Sequence, residues 1–210
     1  MDPISRALQK HYAEKFSAHG ATPEGADWGP DETRTRLRYN KMLAVADLAH
    51  TKRPSLLDVG CGYGGLQQHA TRRHLDFEYT GIDVASNMIE WARSNITSGK
   101  FIHGDILDHS FNRKFDYVVC NGILTQKLEA TALEMDQFAA RLIRRMFSLS
   151  TIGMAFNVMT TKVNYFSNNL YYRNPAELFS WCLNEITPRL KLDHSYPLYE
   201  YTMYLYRNTA

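Results

Sequence analysis

Apolar positions along the chain change their period several times, and each change marks an element. Leu8, Tyr12 and Phe16 recur every four residues, which predicts an amphipathic helix over Ser5 to Ser17. A Gly- and Pro-bearing stretch from Gly20 to Pro30 follows it. Asp31 then stands where a helix N-cap belongs, ahead of a stripe through Tyr39, Met42, Leu43 and Ala46. Ser55 to Val59 reads as a buried strand, and beyond it strand and helix signals alternate: strands at Tyr79 to Ile82, Phe101 to His103 and Tyr117 to Cys120, and a helix near Asn87 to Ser94. Met135, Phe138, Leu142, Met146 and Leu149 line one face of a longer helix, with arginines opposite, and a strand at Met154 to Asn157 comes next. Asn174, Pro175 and Glu177 occupy the cap, first and third positions of a further helix that reaches about Ile186. The tail alternates at period two, with Tyr199, Tyr201, Met203 and Leu205 on one face, and the short run Lys191 to His194 before it can pair with it only antiparallel. These elements predict an α/β fold: a doubly wound, mostly parallel seven-stranded sheet with an antiparallel C-terminal strand. Residues 1–30 form a helical cap on a single domain spanning 31–210.

Composition narrows the partners. The chain has 210 residues, enough for one sizeable core, and 24 Lys plus Arg against 22 Asp plus Glu leave a formal charge of +2, too little to capture a polyanion. The basic groups Arg34, Arg36, Arg38 and Lys41, and again Arg141, Arg144 and Arg145, read as wet helix faces rather than a nucleic-acid surface. Cys61, Cys120 and Cys182 show no CxxC pair and no even count, so reduced thiols are expected. The eight histidines lack HxxxH or HExxH spacing, so no metal is expected. The charged start MDPISRALQKHYAEKF and the lack of a long apolar run lead us to expect a cytoplasmic protein without a membrane partner.

The chemistry concentrates in LLDVGCGYGG, Leu56 to Gly65, which puts Gly60, Gly62 and Gly64 in a turn at the carboxyl end of a buried strand, where a ligand can approach the backbone. Gly60, Gly62 and Gly65 also satisfy GxGxxG, so the glycines alone leave a nicotinamide dinucleotide open. Asp58 argues against it, because a carboxylate there suits a cationic ligand and repels a pyrophosphate. Asp83 closes the next strand and can accept from both ribose hydroxyls. Asp105 and Ile106 close the third, one able to accept from an adenine amino group and the other to pack on its ring.

In this order, the Asp58 to Gly64 turn, Asp83, Gly104-Asp105-Ile106 and FDYVVCNGIL resemble the successive motifs of the class I S-adenosylmethionine-dependent methyltransferases, nearest to bacterial small-molecule enzymes, over Ser55 to Leu124. The resemblance implies S-adenosylmethionine as cofactor and S-adenosylhomocysteine as product. It would set Asp58, Gly60, Cys61 and Gly62 around the methionine portion, Asp83 and Val84 at the ribose, Met88 on the adenine face, and Gly104, Asp105 and Ile106 at its edge. Asn121 and Gly122 would lie beside the sulfonium and the acceptor. Tyr12, Trp28 and Arg38 come from the segment that closes over the cofactor in this fold: the aromatic faces suit a sulfonium and Arg38 a carboxylate. Where nucleic-acid and protein amide methyltransferases carry Asn-Pro-Pro-aromatic, this chain has Asn121-Gly-Ile-Leu, so an oxygen or nitrogen acceptor on a small molecule, a specialised metabolite or sugar-like compound, is expected. Asn157, at a strand end, is a candidate acceptor contact, and Lys127, Tyr172 and His194 join Asn121 as catalytic candidates.

Each assignment has a plainer alternative. Asp58, Asp83 and Asp105 can serve turns or caps, Cys61 and Cys120 can be packing residues, His103 a satisfied core histidine, and Asn121 and Asn157 can bond local backbone. Tyr12, Trp28 and Arg38 can be ordinary helix packing, and the tyrosines of 164–172 and 196–206 either an acceptor pocket or sheet packing. Three rival functions also stand: a cyclase or lyase releasing methylthioadenosine from the cofactor itself, a non-catalytic cofactor-binding protein, and a nicotinamide oxidoreductase.

Overall fold

The computed structural model describes residues 1–48 and 52–207. Helix α1 (Pro3–His19) opens two residues before Ser5, the start predicted from the sequence, because the Asp2 side chain accepts from the Ile4 N–H and Pro3 is tolerated at the first position. A single 3-10 turn (Glu24–Ala26) lies in the linking stretch, and α2 (Glu32–Leu43) starts at Asp31, whose side chain accepts from the N–H groups of Thr33 and Arg34. Then come β1 (Ser55–Val59), α3 (Gly65–Arg72), β2 (Glu78–Asp83), α4 (Ser86–Asn95), β3 (Lys100–His103), β4 (Phe115–Cys120), α5 (Ala132–Leu149), β5 (Ser150–Thr160), β6 (Tyr172–Arg173), α6 (Pro175–Glu185), β7 (Leu190–Asp193) and β8 (Glu200–Tyr206). Helix α3 escaped the apolar pattern because Gln67 and His69 sit on its buried face.

The strands form one sheet in the order β3-β2-β1-β4-β5-β8-β7, with β6 against the far end of β5. The pairs from β3 to β5 run parallel, while β8 is antiparallel to both of its neighbours. Strand order reverses between β1 and β4, and in open α/β sheets the crevice outside the carboxyl ends of the strands at such a point is where ligands bind. Helices cover both faces. The α5 stripe is fully buried on one face with Val118, Phe156 and Tyr201, and Tyr39, Met42, Leu66 and Ile89 pack on the other with Tyr117 and Tyr204. Thr131 and Glu134 close a reciprocal capping box on α5, which is worth about 1 kcal/mol.

Four local expectations need correction. Strand β5 spans eleven residues rather than four, since pairing with β4 and β8 draws in its small and polar ends. Tyr199 precedes β8 and is half exposed, and His103 is exposed with Nε2 at 3.1 Å from the Val84 carbonyl rather than in the core. Arg34 and Arg36 do pair with Asp31 and Glu32 in the open, but Arg38 and Lys41 turn inward to Glu200 and Asp193. On α5, Arg145 donates to the carbonyls of Ile106 and His109 and so ties the helix to the loop after β3. Cys61, Cys120 and Cys182 are buried and free. Among the described residues no helix is long and apolar enough to cross a membrane, and no three His, Cys, Asp or Glu side chains converge as a metal site.

Candidate functional site

A cleft opens over the carboxyl ends of β1, β2, β3 and β4, with an empty volume of about 710 Å³ bordered by Asp83, Val84, Met88, Gly104, Asp105 and Ile106. A second arm of about 340 Å³, lined by Asp58, Cys61, Tyr39 and Tyr63, joins it at Ala26, Trp28, Gly60, Gly62 and Asn121. Pockets of this size suit a cofactor. Gly60 has φ +73° and a Cβ there would meet Ile123 at 2.7 Å, so only glycine serves this corner. At Gly122, φ +97°, a Cβ would press on Trp28 Nε1 at 3.1 Å, which means that the backbone itself forms the wall facing the indole.

Three carboxylates lie along the cleft in different states. Asp58 is 2% exposed; burial pushes its carboxyl up to about 7, with the charge of Asp83 adding and the Tyr79 hydroxyl, donating at 2.6 Å, opposing. A cation beside it would reverse that shift. Asp83 accepts from the N–H groups of Gly62 and Ala85, each at 2.8 Å, so it braces the glycine turn and still keeps free lone pairs toward the cleft. Burial raises its pKa despite those two bonds. Asp105 accepts from Leu107 N–H at 3.0 Å and thus serves its own turn as well as lining the cleft. Asn121 is 7% exposed, and both ends of its amide are buried without a partner. A buried unpaired amide costs about 1–3 kcal/mol, a cost that a hydrogen-bonding group in the cleft would offset. Burial also pushes the Cys61 thiol up, so it stays protonated, and the Tyr12 phenol, raised by burial and by Asp27, stays neutral.

Helix α1 covers the cleft with Ser5, Leu8 and Tyr12. It is pinned across the opening by Gln9 Nε2 donating to the Val84 carbonyl at 2.8 Å and by Asn87 Nδ2 donating to the Ala13 carbonyl at 3.0 Å. Asp27, at φ +59°, gathers His11 Nε2 (2.8 Å), Lys15 Nζ (2.9 Å) and Gln126 Nε2 (2.9 Å), tying α1 and the turn before Trp28 to the loop after β4.

Of the residues proposed for cofactor contact, all but Arg38 border one arm or the other. Arg38 instead donates to Glu200 Oε1 at 2.7 Å with its guanidinium 5.4 Å from the Trp28 ring centre. Three catalytic candidates also lie outside the two arms. Lys127 Nζ donates to the carbonyls of Leu128 and Ala130, the Tyr172 hydroxyl accepts from Ser167 N–H, and the His194 ring packs edge-on to Tyr201. Asn157 does not reach the cleft either: it is buried, with both amide ends engaged by Gly122 and Glu200. Sequence reasoning missed Ala26, Phe138 and Leu142 on the cleft wall; Phe138 and Leu142 were visible only as part of an apolar stripe.

With this geometry in view, the similarities are informative. The sequence pattern of the methyltransferase domain matches residues 56–146. A Mycobacterium tuberculosis protein named, provisionally, as a methyltransferase is 30% identical over 151 residues, covering 71% of this chain and 90% of that protein. The dTDP-3-amino-3,4,6-trideoxy-alpha-D-glucopyranose N,N-dimethyltransferase of Streptomyces venezuelae is 35% identical over 78 residues, which are 36% of this chain and 32% of its own. In fold, the chain is similar to the plantazolicin methyltransferase BpumL, solved with S-adenosylhomocysteine, at a TM-score of 0.62 and 15% identity over 98% of both chains. The chain belongs to the class I S-adenosylmethionine-dependent methyltransferases.

Proposed function

We propose that the protein methylates a neutral amine or an acidic hydroxyl of a small molecule, with the acceptor held at Asn121. The observation that carries this reading is the buried, wholly unpartnered Asn121 amide at the junction of the two arms. Asp58 then serves the ammonium of the cofactor, Asp83 its ribose hydroxyls, and Met88, Asp105 and Ile106 its adenine, with residues 1–30 as the cap that excludes water. The bound S-adenosylmethionine supplies an activated methyl group that carries its own leaving group. What remains for the chain is alignment: Asn121 Oδ1 accepts an acceptor N–H or O–H and turns a lone pair toward the donor. Among the described residues lining the two arms there is no His, Lys or Arg. An acceptor that needs no strong base at the moment of attack therefore fits best, and the amino-sugar dimethyltransferase among the similar proteins points the same way.

The test is incubation with S-adenosylmethionine and a panel of amino sugars, aromatic amines and phenols, with both products read by mass spectrometry. S-adenosylhomocysteine together with a methylated acceptor is the expected result. Methylthioadenosine as the product would replace transfer by an internal reaction of the cofactor, and tight cofactor binding without turnover across the panel would leave a binding protein.

A further inference from the structure

Glu200 lies on β8 at 1% exposure, 162 residues from its partner Arg38. Its Oε1 accepts from Arg38 Nε at 2.7 Å and its Oε2 from Asn157 Nδ2 at 2.7 Å. Asn157 Oδ1 in turn accepts the Gly122 N–H at 2.8 Å, and Gly122 follows Asn121 on the cleft wall. An ionised carboxylate can only accept and a backbone N–H can only donate, so an amide between them has one workable orientation, Nδ2 toward Glu200 and Oδ1 toward Gly122. Gly122 stands at φ +97° against Trp28, and Trp28 lies under the Arg38 guanidinium, so the relay closes on the wall where it began.

We propose that Glu200 is a positioning residue for the methyl-transfer site, setting the Asn121–Gly122 turn through Asn157 without touching either substrate. The proposal rests on reading the cleft as the cofactor site. It also accounts for a buried carboxylate in an aromatic strand whose other residues are apolar or neutral: an acceptor with no hydrogen to donate is what fixes the Asn157 amide.

The polarity of the relay supplies its own test. Glu200→Gln offers an N–H to a neighbour that also donates, either Arg38 or Asn157. Asn157→Asp sets two carboxylates against each other. The double variant restores every donor and acceptor. At position 200 the introduced amide accepts from Arg38 through its oxygen and donates through its nitrogen to the introduced carboxylate at position 157, which also accepts from the Gly122 N–H. Each single variant should bind S-adenosylhomocysteine about tenfold more weakly by calorimetry, and the double variant should recover that affinity, while Asn157→Ala, which removes the acceptor of the Gly122 N–H, should lose protection of the Gly122 amide in hydrogen exchange. Cys182→Ala, on the core-facing side of α6, should lower the melting temperature and leave that affinity alone, which separates positioning from general loosening. Should Glu200→Gln fail to fold, Asn157→Ala reads the same link. Parent-like affinity in the folded single variants, or parent-like Gly122 protection in Asn157→Ala, would overturn the proposal, as would a folded double variant that does not recover the affinity. Failure of the parent itself to bind S-adenosylhomocysteine would instead remove the cofactor reading beneath it.

Discussion

Replacing Asp58 with Asn should stabilise the ligand-free protein above neutral pH and weaken its hold on S-adenosylhomocysteine. In the unfolded chain the carboxyl titrates near 3.9; in the fold, burial holds it at about 7. Between about pH 4 and 7 the folded protein therefore keeps a proton that the unfolded chain has released, so stability falls as pH rises through that window and is level above it. At 1.36 kcal/mol for each pH unit the full effect has a ceiling of about 4 kcal/mol. Asn keeps an oxygen for the Tyr79 hydroxyl and has no charge to expose, so D58N should match the parent near pH 4.5. At pH 8.5 it should exceed the parent by about 2–4 kcal/mol, or roughly 5–15 °C in Tm for a domain of this length. Asp83 is raised in the same direction and is present in both proteins, so the difference between them reports Asp58 together with its coupling to Asp83. The assay is urea or thermal unfolding from pH 4.5 to 8.5 at fixed ionic strength. Calorimetric S-adenosylhomocysteine binding at pH 8 should be about 10- to 100-fold weaker, the worth of a charge-assisted hydrogen bond. Parallel pH profiles for the two proteins, or a less stable D58N at pH 8.5, would show that burial does not govern this carboxylate.

Gly60→Ala meets Ile123 at 2.7 Å in a left-handed backbone, so it should cost about 1–2 kcal/mol in urea unfolding and blunt cofactor affinity. Asn121→Ala should keep S-adenosylhomocysteine affinity within about threefold while transfer to an amine or phenol found in the acceptor panel falls on the order of 100-fold; equal losses in both would make Asn121 a cofactor contact only. Lys127→Ala and His194→Ala, whose side chains lie outside the cleft, should leave that rate within about threefold. Asp27→Ala frees His11, Lys15 and Gln126 together and should speed S-adenosylhomocysteine release by about 3- to 10-fold in stopped flow, with little change in Tm, because partly exposed ion pairs contribute little to stability.

The glycine turn after β1 and the carboxylates at 58, 83 and 105 were legible because each belongs to a short string in which strand, turn and chemistry are set by neighbours in sequence. Helix α5 and the caps at Asp31 and Asn174 were legible for the same reason. The general-base candidates fall outside the two arms because a loop residue's direction depends on what the loop packs against: Lys127 turns onto the carbonyls of Leu128 and Ala130, and the Tyr172 hydroxyl onto the Ser167 N–H. Strand β5 outran its apolar signal because pairing on both edges, not its own side chains, decides where it ends. Local sequence thus determined the fold class, the glycine turn after β1 and the family. The tertiary structure alone decided that Arg38 meets Glu200, that Asn157 bonds Gly122 and Glu200, and that Asn121 is left without a partner. Pairings across 162 or 35 residues are chosen by how the sheet stacks, and a chain read one window at a time holds no record of that choice.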